Sequence, residues 1–337
     1  MGNVLVKEET LTAIADSIRE KNGSTAKYKP SEMSIAISEI ETGNKEGVDY
    51  NKPVKFYGLD GELLYSYSLK EVSELTELPP LPKEKGFICQ GWNWSLENIK
   101  NAEREVDIAA IFITDDGATR ICVNLNKNTL HPILCFGQET AESVQVDWGD
   151  GSELENSESS GLYVPVKMQH QYAEDGEYVI RLIPNDGAKI MLGNTYQTRL
   201  LKGDWESDDT DYAYGNIIKK IEIGECVEGL YHHVFEDVSL ERITIPENVI
   251  SIYNSLQECS SIRFIALPQS VTKLLSSAFR ACRSLKKVVL SDREKVNWRQ
   301  QLLCCLLVEI MRNEQRYFPV RRIDNRHPLY LKLLRIW

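Results

Sequence analysis

The stretch "LERITIPENVISIYNSLQECSS", Leu240–Ser261, decides the fold of the C-terminal part of the chain, because similar stretches lie on both sides of it. Four units in the same register begin at Ile218, Leu240, Ile262 and Leu285. They follow one another at steps of 22, 22 and 23 residues. A period of about 20–29 residues with apolar side chains at fixed positions is typical of stacked units that each add a strand and bury an apolar face on the next. The sequence therefore predicts a solenoid over residues 218–312.

Residues typical of one repeat pattern recur at fixed positions in these units. They are Pro246, Val249, Cys259, Pro268, Val271, Phe279 and Cys282. They match "SL-x-x-I-x-[IL]-P-x-x-V-x-x-I-x-x-x-A-F-x-x-C", and the array resembles the BspA-like leucine-rich repeats of bacterial and phage surface proteins. The resemblance implies a ladder of buried thiols at Cys259, Cys282 and Cys304, one repeat apart. Because metal ligation needs ligands that converge at one level, we expect this ladder to be structural.

The exposed positions of the units are candidates for a binding face, because a solenoid usually meets its partner with one face. The candidate residues are Glu222, Arg242, Thr244, Arg263 and Lys287. The only histidine pair of the chain, His232–His233, stands where other units have Asn-Ser-Leu or Ser-Ser-Ala. We expect a surface role for this pair rather than catalysis.

A second motif, "VDWGDGS", spans Val146–Ser152. It is followed by an "H-x-Y-x-x-x-G-x-Y-x-V/I-x-L" stretch that contains His170, Tyr172, Gly176, Tyr178 and Leu182. The combination resembles the PKD domain, an immunoglobulin-like β-sandwich, and short alternating strands around it predict this sandwich over residues 106–190. The resemblance implies that Trp148 fills the core and that the Gly-Asp-Gly segment around Asp150 and Gly151 makes a hairpin turn.

Asp147 and Asp150 of this motif have three interpretations. In a turn, a short Asp side chain bonds nearby backbone. Paired carboxylates could instead act in glycan hydrolysis. A cation site is the third alternative, because residues 139–158 hold seven acids and neither Lys nor Arg, although their spacing fits no EF-hand loop.

The N-terminal part predicts two further modules. Apolar residues at helical spacing and a Gly-Ser break predict two short helices within residues 9–41, and the segment 1–45 resembles the helical start of many tail and tail-fibre proteins of phages infecting Firmicutes. Because two such helices make a small core, we expect them to pack on another copy or another protein. Residues 82–92, "PKEKGFICQGW", resemble the end of the Listeria-Bacteroides repeats. That resemblance predicts a small β-grasp-like module over residues 50–105, with its aromatic side chains in the core.

Composition limits the remaining possibilities. The net charge of −11 over 337 residues argues against nucleic acid as a partner, and the longest apolar run, Leu302–Val308, is too short to span a membrane. We expect no signal peptide, because charges interrupt the apolar positions of the N-terminus. Five acids between Asp204 and Asp211 indicate a solvated linker over 191–217. The basic tail, 313–337, is either a cap or docking segment or the product of a frame change.

The sequence thus predicts a multidomain, mainly β protein with short N-terminal helices, a β-grasp-like module, an immunoglobulin-like sandwich and a leucine-rich-repeat solenoid. The motifs G-x-S-x-G, H-E-x-x-H, the P-loop and G-x-G-x-x-G are all missing, so we expect no enzyme activity, cofactor or metal. The leading hypothesis is a phage or prophage tail or tail-fibre protein. It would be made in the bacterial cytoplasm, carried in the virion as a homo-oligomer, and bound to other tail proteins and to a host surface protein or glycan. The alternatives are a BspA-like adhesin on the bacterial cell surface and, third, a carbohydrate-active enzyme or carbohydrate-binding accessory protein.

Overall fold

The chain divides into two compact units, Met1–Tyr50 and Asn51–Trp337. The computed structural model describes residues 8–22, 27–30, 32–33, 48–158, 165–193, 199–204, 211–236, 238–274 and 278–292. In the first unit, helix α1 (Glu8–Asn22) confirms the first predicted helix, and its residues Ala15 and Ile18 are buried together with Met33. Most of the second predicted helix, the tail over 313–337 and Cys304 lie outside the described residues.

The second unit begins with a sheet of order β2-β1-β4-β3, called sheet 1 below. Its elements are β1 (Pro53–Tyr57), β2 (Leu63–Ser68), α2 (Leu69–Glu74), β3 (Phe87–Trp92), α3 (Leu96–Lys100) and β4 (Val106–Thr114). A capping box between Ser68 and Glu71 starts α2, and the Ser95 side chain caps α3. Strand β4, predicted to begin the sandwich, lies instead between β1 and β3, so the boundary predicted at residue 105 is corrected.

A run of short strands follows and contributes to two larger sheets. These strands are β5 (Thr119–Leu125), β6 (Ile133–Gln138), β7 (Val144–Asp147), β8 (Glu155–Asn156), β9 (Pro165–Gln169), β10 (Gly176–Pro184), β11 (Ile190–Leu192) and β12 (Leu201–Lys202). Alternate residues of β5 are buried, as expected for a strand with one face in the core. The prediction of a mainly β chain with short helices is confirmed.

Helix α4 (Asp211–Asn216) leads into the repeat strands. They are β13 (Ile218–Glu222), β14 (Val227–Leu230), β15 (Arg242–Thr244), β16 (Ser251–Ile252), β17 (Phe264–Ala266), β18 (Lys273–Leu274) and β19 (Lys287–Val289). Paired residues on successive repeat strands are 22 positions apart in β13–β15, β14–β16 and β16–β18, and 23 apart in β17–β19. All these pairs are parallel, so the strand register reproduces the period read from the sequence.

The repeats are continuous with the strands before them. Sheet 2 has the order β15-β13-β5-β10-β7-β8, and sheet 3 has the order β12-β6-β11-β14-β16-β18 with β9 paired to β6. The first repeat joins both, because β13 pairs with β5 and β14 pairs with β11. One hydrophobic cluster therefore extends from Trp148 on the β7 side to Cys282 in the third repeat.

The predicted acidic linker over 191–217 is corrected by the part of it that the structure describes. Strand β12 pairs with β6, and Leu200 and Leu201 are fully buried. Tyr214 of α4 is also buried, and its hydroxyl accepts a hydrogen bond from the backbone N–H of His131 at 3.3 Å. These segments belong to the core and do not form a solvated connection.

Candidate functional site

Four of the five residues predicted to form an exposed binding face lie on the repeat strands β13, β15 and β19, and the fifth, Arg263, lies directly before β17. Arg263 is exposed, but Glu222 and Thr244 expose only 8% and 5% of their surface. Strand β4 of sheet 1 lies against β15, β17 and β19. The prediction of an open face is therefore wrong for this strand surface, because sheet 1 covers it.

An ion-pair network connects sheet 1 to the first two repeats. Arg242 binds both Glu222 and Asp60, with 3.3 Å between its Nη1 and Asp60 Oδ1. Arg120 Nη1 also lies 3.5 Å from Glu222 Oε2. Because the Glu222 carboxylate is nearly buried, its charge requires compensation, and two guanidinium groups provide it.

Lys287 makes a second polar contact with sheet 1. Its Nζ lies 2.7 Å from Asp107 Oδ2 and donates a hydrogen bond to Tyr57 Oη at 2.6 Å. Partial burial opposes the charge on Lys287, but the hydrogen bonds with Asp107 and Tyr57 outweigh this and raise its pKa. The ring of Tyr57 also packs against Phe264, with 6.1 Å between ring centroids.

The segment between β3 and α3, residues 93–95, also bonds the far end of the repeats. The buried Asn93 donates to the Leu267 carbonyl at 3.0 Å, and Trp94 Nε1 donates to the Leu290 carbonyl at 2.7 Å. Asp292 Oδ2 accepts a bond at 2.7 Å from the backbone N–H of Ser95, next to α3. A partner could reach the strand surface only if sheet 1 moved away from it.

The aromatic residues of the tryptophan motif form one group, in which Trp148 and Tyr172 are buried. Trp148 is fully buried and stacks on His170, with 4.7 Å between ring centroids and 10° between ring planes. Tyr172 Oη donates to the Trp148 carbonyl at 2.8 Å, and Tyr178 packs against Tyr172 at 4.5 Å between centroids. These residues therefore hold the end of β7 against the segment that follows β9.

Both carboxylates of the motif are engaged in the turn. Asp147 Oδ1 accepts from the Gly149 N–H at 2.9 Å. Asp150 Oδ1 accepts from the Ser152 N–H at 3.0 Å, and its Oδ2 lies 2.8 Å from His170 Nε2. Partial burial opposes ionisation of Asp150, but the hydrogen bonds from Ser152 and His170 outweigh it and lower its pKa to about 2. This geometry favours the turn interpretation of both residues.

The acidic stretch over 139–158 gives no sign of a cation site. Among the residues that the structure describes, which include this whole stretch, no three His, Cys, Asp or Glu side chains are grouped as metal ligands. Glu139 has a raised pKa because burial and the nearby Glu228 carboxylate both disfavour its charge.

Two of the three cysteines predicted to form the ladder, Cys259 and Cys282, are buried. Cys259 Sγ donates to the Phe235 carbonyl at 3.1 Å, and Cys282 Sγ donates to the Leu256 carbonyl at 3.0 Å. The residue before each cysteine, Glu258 or Ala281, has a positive φ of about 60°. Each of these two thiols therefore bonds a carbonyl of the preceding repeat.

The repeats have a second series of strands, β14, β16 and β18, which are neighbours in sheet 3. An aromatic cluster that includes one histidine of the pair lies at the ends of β14 and β16. It consists of Tyr231, His232 and Tyr253, all partly exposed. Tyr231 and Tyr253 directly follow β14 and β16, whose partners Leu230 and Ile252 are in register, so their rings stack with 5.0 Å between centroids and 26° between planes. His232 packs on Tyr253 at 4.9 Å. The histidines are conspicuous in the sequence as a pair, whereas the two tyrosines are separated by one repeat of 22 residues, a spacing that was a usable signal for them.

His233 connects the aromatic cluster to a polar group. It has a φ of 60°, and its Nδ1 lies 2.7 Å from Glu236 Oε2. Glu236 Oε1 accepts a 2.8 Å hydrogen bond from the amide of Gln257 in the next repeat. The two repeats thus share an aromatic surface and an adjoining hydrogen-bonded polar group.

One part of the chain is similar to a known family of repeats. No curated protein and no solved structure matches the chain. Within the described residues, no helix has both the length and the apolar character needed to span a membrane. Residues 210–298, which contain β13–β19, match the family described as the BspA type leucine rich repeat region, in six copies.

Proposed function

We propose that this protein is a non-enzymatic binding protein of the surface or adhesion type, and that the repeat region is its binding module. The observation that carries the proposal is the match of residues 210–298 to the BspA type leucine rich repeat region. Repeats of this kind bury their apolar faces on one another and leave an extended surface for a partner.

The proposal includes a finer description of the fold. In this proposal, strands β5–β12 form a PKD-like sandwich, and the repeats form a solenoid that extends it. The buried Trp148, the Tyr172 hydrogen bond and the Asp150 turn support the first part. The parallel one-repeat register of the strands supports the second. A single body of this kind would hold the repeats at a constant orientation.

Two settings fit this function. A phage or prophage tail protein is favoured by the resemblance of the first 45 residues to the start of tail proteins, and its partners would be tail proteins and a host surface. A bacterial cell-surface adhesin is equally compatible with the repeat match. Detection of the protein by antibody in purified particles after prophage induction, or on washed intact cells, distinguishes the two.

The function itself is tested by binding of the labelled full-length protein to intact cells of candidate Gram-positive hosts. We expect saturable labelling that the unlabelled protein displaces. Truncation at Gly215 is an unsuitable control, because it removes β13 and β14, the partners of β5 and β11. Point variants on the repeat surface are the appropriate comparison, and the lack of saturable labelling on every host would contradict the proposal.

A further inference from the structure

The location of the aromatic cluster makes it a candidate ligand site. Strand β4 of sheet 1 lies against β15, β17 and β19, whereas the aromatic cluster follows β14 and β16 of the other series. Its three rings, Tyr231, His232 and Tyr253, are partly exposed and in mutual contact. Tyr231 stacks on Tyr253, and His232 lies tilted against Tyr253. Stacking between rings of successive repeats restrains each of them, so little side-chain entropy remains to be lost on binding.

The cluster also presents polar atoms. Among the described residues, neither the imidazole of His232 nor the hydroxyl of Tyr253 takes part in a hydrogen bond. The ring of His233, 6.3 Å from that of His232, is oriented by Glu236, which is itself held by Gln257. A ligand on the rings would therefore meet hydrogen-bonding groups next to an aromatic surface.

This combination selects among classes of ligand. The face of an aromatic ring carries negative partial charge and attracts the weakly positive C–H groups of an apolar face. A purely aliphatic ligand would leave the polar atoms of His232 and Tyr253 desolvated without partners. An anionic ligand is disfavoured by the net charge of −11 and by the carboxylate of Glu236, which contacts the neighbouring His233. A neutral pyranose has both a C–H face and hydroxyl groups, and so satisfies both requirements.

We propose that the aromatic cluster of Tyr231, His232 and Tyr253 binds a neutral pyranose unit of a surface glycan by stacking it on Tyr253. The inference rests on the proposed binding role of the repeat region and names its ligand class. Tyr253 is the residue to test, because it makes the two shortest ring contacts of the cluster, 5.0 Å to Tyr231 and 4.9 Å to His232.

The direct test uses the purified full-length protein. Binding is first screened on an array of immobilised oligosaccharides and then measured by saturation-transfer NMR with methyl pyranosides of glucose, galactose, mannose and N-acetylglucosamine. We expect saturation of the C–H protons of one ring face. Tyr253→Ala should weaken binding roughly tenfold, the effect of losing one aromatic stack. Tyr253→Trp should keep binding, and Tyr253→Leu, which retains apolar volume without a π face, should weaken binding as Tyr253→Ala does.

The matched control is Tyr67→Ala, which removes a partly exposed tyrosine from β2 in sheet 1 and should leave glycan binding unchanged. Thermal unfolding of each variant shows whether it is folded. Absence of binding to every oligosaccharide, or equal binding by wild type, Tyr253→Ala and Tyr253→Leu, overturns the inference.

Cell labelling separates this inference from the proposed function. If Tyr253→Ala still labels cells as the wild type does, the cluster is not the site and the adhesion function stands. If the glycan probes bind through Tyr253 but no cell is labelled, the ligand class stands and the adhesion function falls.

Discussion

Replacement of Asp150 by Asn should destabilise the second unit by about 2 kcal/mol at neutral pH. Asn retains an oxygen that can accept from the Ser152 N–H, but it loses the charged partner of His170 Nε2, now at 2.8 Å. A hydrogen bond to a charged group contributes about 1.5–3 kcal/mol. The lowering of the Asp150 pKa from its ordinary value to about 2 corresponds to a similar ~2 kcal/mol. Both figures describe the same bonds, and they are upper values because the side chain is 19% exposed and partly screened.

The pH dependence of this difference has a definite sign. The pKa of Asp150 is lower in the folded protein than in the unfolded chain, so its stabilising contribution is fully present above pH ~4 and is lost as the pH falls towards about 2. The Asn variant lacks this contribution at every pH. The gap between wild type and variant should therefore close over this acid range.

The assay is urea unfolding followed by far-ultraviolet circular dichroism, at neutral pH and along the acid series. Asp147→Asn is the matched control. Asn at position 147 retains an oxygen that can accept the hydrogen bond from the Gly149 N–H. The contact with Arg181 that the substitution weakens is 3.5 Å long and partly exposed, so we expect a smaller effect on stability. Equal stability of Asp150→Asn and wild type at neutral pH, or a gap that does not narrow in acid, would refute the reasoning.

Three further predictions concern stability and reactivity. Arg242→Ala should lower the free energy of unfolding by about 2 kcal/mol, measured by thermal unfolding, because it leaves a nearly buried carboxylate with one guanidinium partner. Arg263→Ala, at an exposed position, should change it by less than about 0.5 kcal/mol. Equal effects of the two substitutions would contradict the described network. Gly149→Ala should be more destabilising than Gly151→Ala in urea unfolding. Both glycines have φ near +80°, but a Cβ at Gly149 would lie 2.5 Å from a backbone oxygen, whereas a Cβ at Gly151 would meet nothing within 4 Å. The reverse order of stability would count against the turn geometry. Burial raises the pKa of the Cys226 thiol to about 11, so this thiol should resist iodoacetamide at about pH 8 in the folded protein and react in the unfolded protein. Peptide mass spectrometry measures the labelling, and rapid labelling of the folded protein would show that the thiol is not buried.

Some of the structure followed from the sequence because its causes are local or periodic. The 22-residue period places equivalent apolar residues in each unit, and burial of each unit on the next produces the parallel register in which Leu230 pairs with Ile252. The turn at Asp150 likewise depends on neighbouring backbone and on glycines that accept positive φ. For the same reason, the mainly β character could be predicted from alternating apolar residues.

Contacts between distant segments have no such periodic signal, and here the predictions were wrong or incomplete. Strand β4 is buried on almost every residue because it lies inside sheet 1 and against the repeats, so alternation could not assign it to its sheet. The docking of sheet 1 turned the expected exposed face around Glu222 and Thr244 into an internal interface. The same packing leaves the stacked Tyr231 and Tyr253 partly exposed on the other strand series. The sequence by itself determined the repeat and its register, because each unit buries its apolar face on the neighbouring units alone. The tertiary structure decided which face of the repeats stays open, because that depends on contacts with a segment more than a hundred residues earlier in the chain.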